Sequence, residues 1–162
     1  MNKKRIAVAL LSLVIILIVL FIFGNSLKSR EESKKDSDTI AEVIEPIVEA
    51  VCGREVENVG FIVRKMAHLT EFCILGLAVS GLVLVVDYNR KWWLCGYGLL
   101  FGLLVAVCDE FIQSFVGRGS AVSDVLIDFS GAIMGFFVLI ALVEAVKLVK
   151  NKKHIIKKET HQ

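Results

Sequence analysis

The sequence predicts an all-α protein: an integral membrane four-helix transmembrane bundle with a short amphipathic helix in its first outer loop. Three observations predict it. The 162 residues are 56% hydrophobic with a mean hydropathy of +0.69, too apolar for an ordinary soluble domain. The apolar residues fall into four runs, each near the ~20 residues that cross ~30 Å of hydrocarbon. The basic residues concentrate at one set of run ends. One domain, 1–162, accounts for the length, with no internal repeat and a single proline.

The first run, Ile6 to Phe23, is broken only by Ser12 and follows Lys3, Lys4 and Arg5. A secretory signal has a shorter apolar core and a small-residue cleavage site. The pattern therefore predicts an uncleaved first span over 6–23. The second span is expected over 67–86. The third, over 92–107, opens on Trp92 and Trp93, which suit an interfacial belt. The fourth is expected over 125–146.

Direction follows from lysine and arginine. With the N-terminus inside, the inner segments 1–5, 87–91 and 147–162 carry 11 basic residues in 26 positions. The outer segments 24–66 and 108–124 carry 8 in 60. Basic density is about threefold higher inside, so both termini are expected in the cytoplasm of a multi-pass cell-membrane protein. Arg64 and Lys65 are the residues that sit less well with this direction. The basic tail after Lys147 is interleaved with Ile155 and Ile156 and suits contact with anionic lipid. It bears no nucleic-acid motif, so the expected partner is the bilayer and not nucleic acid.

Within the outer loop 24–66, Ser29 to Asp38 reads as a charged linker. Ile40, Val43, Ile44, Ile47, Val48 and Val51 then follow helical spacing, with Glu42, Glu45 and Glu49 on the other face. This predicts a short amphipathic helix over 39–52, bent or restarted at Pro46. It either lies on the outer leaflet or roofs the polar residues described next.

Depth counts bring those polar residues to one level. His68 and Glu71 lie near the outer end of the second span, counted back from Val86. Asp109 comes 17 residues after Trp92, and Asp128 lies 18 before Val146. Ionisable groups at such depths are costly and mark functional sites. The candidate site is Lys65, His68, Glu71, Asp109, Glu110, Gln113, Arg118, Asp124 and Asp128. Lys65, His68 and Glu71 are spaced i, i+3, i+6 and read as one stripe. Asp109 and Gln113 pair at i, i+4 if the third helix continues past the membrane. Asp124 and Asp128 are also i, i+4, and Gly131 and Gly135 extend their stripe. Small residues at this spacing let membrane helices approach closely, and Gly98 and Gly102 repeat the pattern in the third span. Gly117 and Gly119 permit a tight turn around Arg118.

The four cysteines, Cys52, Cys73, Cys95 and Cys108, form no CxxC pair, so zinc-ribbon and thioredoxin-type chemistry have no support. A Cys52–Cys108 disulfide on the outer side is left open. No spacing matches a strong metal or nucleophile motif, so no metal and no cofactor is assigned.

The pattern Arg64-Lys65-x-x-His68-x-x-Glu71-Phe72, then Asp109-Glu110-x-x-Gln113, Gly117-Arg118 and Asp124-x-x-x-Asp128-x-x-Gly131-x-x-x-Gly135 resembles the VanZ-like family over about residues 6–146. Phe23-Gly24-Asn25-Ser26 also resembles the family's opening. The chain departs at Asp128, where the family usually has Asn, at Val116, often Pro, and at Phe72, commonly Tyr. The resemblance implies a small membrane protein with teicoplanin-type glycopeptide resistance as its named phenotype, and it implies no particular reaction.

Three functions stay open on the residues. An outward acidic pocket could engage a lipoglycopeptide at the outer leaflet. A membrane-embedded enzyme could act on a lipid-linked envelope precursor, with His68, Glu71, Asp109 and Glu110 offered to a divalent metal or His68 acting as a base. Alternatively, the polar set only fastens helices together.

Overall fold

The computed structural model describes residues 2–54, 57–87 and 91–159, and these form five helices with no strand. They are α1 (Lys3–Ser26), α2 (Arg30–Cys52), α3 (Val59–Val86), α4 (Trp92–Phe115) and α5 (Val122–Glu159). Four of them, α1, α3, α4 and α5, are long and apolar enough to cross a membrane. The chain is a multi-pass helical membrane bundle. Its hydrophobic exterior, including Leu13, Leu17, Leu20, Leu104 and Leu142, is what a lipid solvent requires.

Each span outgrows its apolar run. α3 starts at Val59 rather than near Ala67, so Arg64 and Lys65 are helical. α4 runs on to Phe115, past the expected end at Val107, which puts Asp109 and Gln113 on one continuous helix. Polar residues ended the hydropathy signal in both cases, but they do not end a helix.

The first loop differs more. Arg30 to Asp38 is helix, not linker, and Ser29 is its N-cap, so α2 is 23 residues long instead of a short segment over 39–52. The reason is local. The Ser29 hydroxyl accepts from the Glu32 amide, while the Glu32 carboxylate accepts from the Ser29 amide at 2.8 Å, a complete capping box. The helix runs through Pro46 without restarting, which forgoes one backbone hydrogen bond. Its buried face is not the apolar stripe read from the sequence. Ser37 and Ala41 are the buried positions, while Val43 and Ile47 stay exposed.

α3 and α5 form the most extensive helix pair. Gly131 and Gly135 explain the approach: a Cβ on either would collide with the backbone of α3, at Leu69 and Cys73 respectively. Gly76 of α3 meets the α5 backbone at Ala132 in the same way, and no sequence pattern had singled it out. Gly98 and Gly102 also face α5, but they make room for side chains, Phe136 and Ala132. Phe72, Leu75 and Phe136 fill the centre of the core. α1 is peripheral, with only 11% of its apolar window buried. At one end it is tied to α3, where Lys4 Nζ donates to the Val86 carbonyl at 2.8 Å. At the other end lies the polar cluster.

Among the described residues, Cys73, Cys95 and Cys108 are free thiols. The Cys52 side chain lies outside the described residues, as do 88–90 between α3 and α4 and 160–162 of the basic tail.

Candidate functional site

The cluster forms where α1 and α4 end and α3 and α5 begin, as an alternating up-and-down bundle requires. Asp109, fully buried on α4, is held on both oxygens. The Ser26 hydroxyl of α1 donates to Oδ1, and Gln113 Nε2 donates to Oδ2 at 2.7 Å. That second bond is the expected i, i+4 pair on an extended α4. His68 of α3 places Nδ1 3.8 Å from Asp109 Oδ2 and 3.8 Å from Asp128 Oδ1. Both separations are too long for hydrogen bonds. His68 Nδ1 and Asp128 Oδ2 have no hydrogen-bond partner, although Asp128 is only 2% exposed.

Around this centre the other candidates take separate places. Lys65 pairs with Asp124 across α3 and α5, both partly exposed. The Glu110 carboxylate accepts the Ala121 amide at 3.0 Å and anchors the turn ahead of α5. Gly117 and Gly119 both adopt left-handed backbone, at φ 72 and 75, and present Arg118 between them. Arg118 Nη1 donates to the Asn25 carbonyl of α1 at 3.2 Å. Arg118 lies outside the spans. Burial, and then the neighbouring Arg64 charge, push its pKa below the usual arginine value, and a guanidinium nonetheless stays charged.

Glu71 does not join His68. It accepts from Asn25 Nδ2 at 2.8 Å, facing α1, and its Oε2 is unpartnered. Helical geometry gives the reason. At ~100° per residue, six positions leave Glu71 about 120° around the helix from Lys65, so i, i+3, i+6 is not one stripe. The ligand set offered in the enzyme reading is therefore divided: His68 and Asp109 converge with Asp128, while Glu71 and Glu110 point elsewhere.

The open side is a cavity of about 140 Å³ above His68 and Asp128. Arg30, Arg64, Lys65 and Arg118 line it, together with Glu110, Gln113 and Asp124. The lining thus mixes four cations with the carboxylates of Glu110, Asp124 and Asp128, where an acidic pocket had been expected. Ser33, Ser37 and Ile40 of α2 line an adjoining cavity with Asn25, Glu71 and Arg118, so the N-terminal half of α2 overlies the site.

A family model described as VanZ/LLP1 matches residues 10–144, which include every residue placed at this site. The chain belongs to the VanZ/LLP1 family. No curated protein and no solved structure matches it.

For this VanZ/LLP1 protein, four site residues escaped the sequence-derived set. Asn25 and Ser26 had a visible signal, as the polar break that closes the first apolar run in the family-like Gly24-Asn25-Ser26. The site therefore draws on all four spans rather than three. Arg64 stood in the quoted motif but was weighed only for topology. Arg30 had no signal, because its position depends on how α2 docks.

Proposed function

We propose that this VanZ/LLP1 protein sits in the cell membrane with both termini cytoplasmic and turns its polar cavity outward. There it contributes to resistance against teicoplanin-type glycopeptides by holding the anionic headgroup of a lipid-linked envelope precursor. One observation carries the choice of ligand. Arg30, Arg64 and Arg118 border the cavity, and none has a carboxylate ion-pair partner among the described residues. Guanidiniums not tied up in ion pairs suit phosphate or carboxylate recognition.

The test is teicoplanin susceptibility in a deletion strain complemented with wild type, Arg118→Ala or Arg64→Ala. Wild type restores resistance; each variant loses it at normal protein abundance. Unchanged sensitivity on deletion removes the proposal. Loss of abundance in step with loss of resistance favours a purely structural role instead.

A second reading, an enzyme that turns over the same precursor, is favoured by His68, whose Nδ1 lies unpaired at the cavity floor. Lipid-phosphate turnover by the purified protein, abolished in His68→Ala, supports it. No turnover by wild type defeats it.

A further inference from the structure

The geometry points to a divalent-cation site at the cavity floor, with His68 Nδ1, one oxygen of Asp109 and one of Asp128 as protein ligands. One ligand atom from each of the three lies within 4.8 Å of the other two. They come from α3, α4 and α5, so the grouping is made by the fold and not by one helix face.

The distances separate a cation site from a hydrogen-bonded cluster. At 3.8 Å, His68 Nδ1 bonds neither carboxylate directly. Ligands about 2.1 Å from a common metal lie about 3.4 Å apart at tetrahedral angles and about 4.2 Å apart when opposed. The observed separation falls between these values. That holds for the two His68 separations; all three ligand atoms lie within 4.8 Å of one another, so a bound ion would draw the groups slightly together.

A second observation is independent of spacing. Asp128 is 2% exposed, yet its Oδ2 has no partner, and His68 Nδ1 has none either. A buried carboxylate without a bond is costly, and a cation held among the three would take up His68 Nδ1 and neutralise the Asp128 carboxylate. Asp109, by contrast, is already oriented by Ser26 and Gln113, the outer support expected of a ligating carboxylate. The nearest lysine is committed elsewhere, as Lys65 pairs with Asp124. No ammonium or guanidinium forms an ion pair with Asp109 or Asp128 among the described residues.

One imidazole nitrogen and two carboxylates form a hard-to-borderline donor set. It suits Mn²⁺, Fe²⁺ or Zn²⁺ with water in the remaining positions, and it does not suit a soft thiophilic ion. The site opens toward the cavity that Arg118 and Arg64 border. The inference goes beyond the headgroup reading and does not depend on it.

The experiment uses the full-length protein in detergent micelles, stripped with chelator and titrated with Mn²⁺ alone. Electron paramagnetic resonance counts the bound ions, and pulsed measurements detect coupling to an imidazole nitrogen. One Mn²⁺ per chain with nitrogen coupling is expected, displaced by Zn²⁺. His68→Ala should abolish the coupling, and Asp128→Asn should weaken binding at least tenfold. Glu42→Gln, a carboxylate on exposed α2 surface, should bind as wild type. Less than one ion per chain, or bound Mn²⁺ without nitrogen coupling, overturns the inference. Both readouts come from wild type, so they hold even if a variant fails to fold. No lipid or antibiotic is present, so failure here leaves the headgroup proposal standing, and loss of resistance in Arg118→Ala says nothing about the metal.

Discussion

Replacing Gly135 by alanine tests the helix contact that positions the site. An added Cβ would lie inside van der Waals contact with the Cys73 carbonyl oxygen and close to two further backbone atoms of α3. Unbonded carbon and oxygen rest about 3.3 Å apart, so α5 and α3 must part by about 1.4 Å. Backbone cannot swing aside as a flexible side chain can. Overpacking of this kind costs about 2–3 kcal/mol, against a gain of about 1 kcal/mol from replacing glycine in a helix. The net loss of about 1–2 kcal/mol corresponds to a melting point roughly 3–6 °C lower for a chain of this size. Gly96→Ala is the control, because a Cβ there meets nothing within 4 Å. It should match or exceed wild type. Temperature-ramped size-exclusion chromatography of fluorescent fusions in detergent provides the comparison. A Gly135→Ala protein as stable as wild type, beside a destabilised Gly96→Ala, would refute the close-contact reasoning.

Other outcomes follow from single contacts. Ser26→Ala strips a donor from buried Asp109 and should cost about 1–3 kcal/mol in the same melting assay, placing α1 within the site's support. Ser29→Ala should remove about 1 kcal/mol of local protection from the first turn of α2, read by hydrogen exchange. The Ser29 backbone and hydroxyl bonds hold Glu32 below its ordinary value of 4.5. The capping contribution of Glu32 is therefore fully present above about pH 4.5 and fades as pH falls through the lower folded value. Protection corrected for intrinsic exchange should fall in that acid window and not at neutral pH. In a cysteine-free background, Ser120→Cys should react with an outside-only thiol reagent in intact cells, and Lys152→Cys only after permeabilisation. Both positions are exposed, and the reverse pattern would invert the proposed orientation.

Depth along each span was readable without a structure, because rise per residue is fixed once a helix is assumed. That is why His68, Asp109 and Asp128 meet as counted. Azimuth was less secure: Glu71 drifted to α1 because six residues do not return to the same face. Helix ends were hidden wherever charge followed an apolar run, as at Arg64 before α3's core and Asp109 in α4. The charged stretch 29–38 looked like linker because hydropathy cannot see a capping box. Arg30 and Gly76 could not be found from patterning, since each acquires its role only through the docking of a second helix.

α5 is one uninterrupted helix, and about 36 Å of it separates Asp128 from Lys152 at 1.5 Å per residue. Such a rod couples the two faces of the bilayer mechanically. A tilt that opens or tightens the grip around Asp128 also displaces the lysine-bearing end, so an event at one leaflet can be read as a movement at the other.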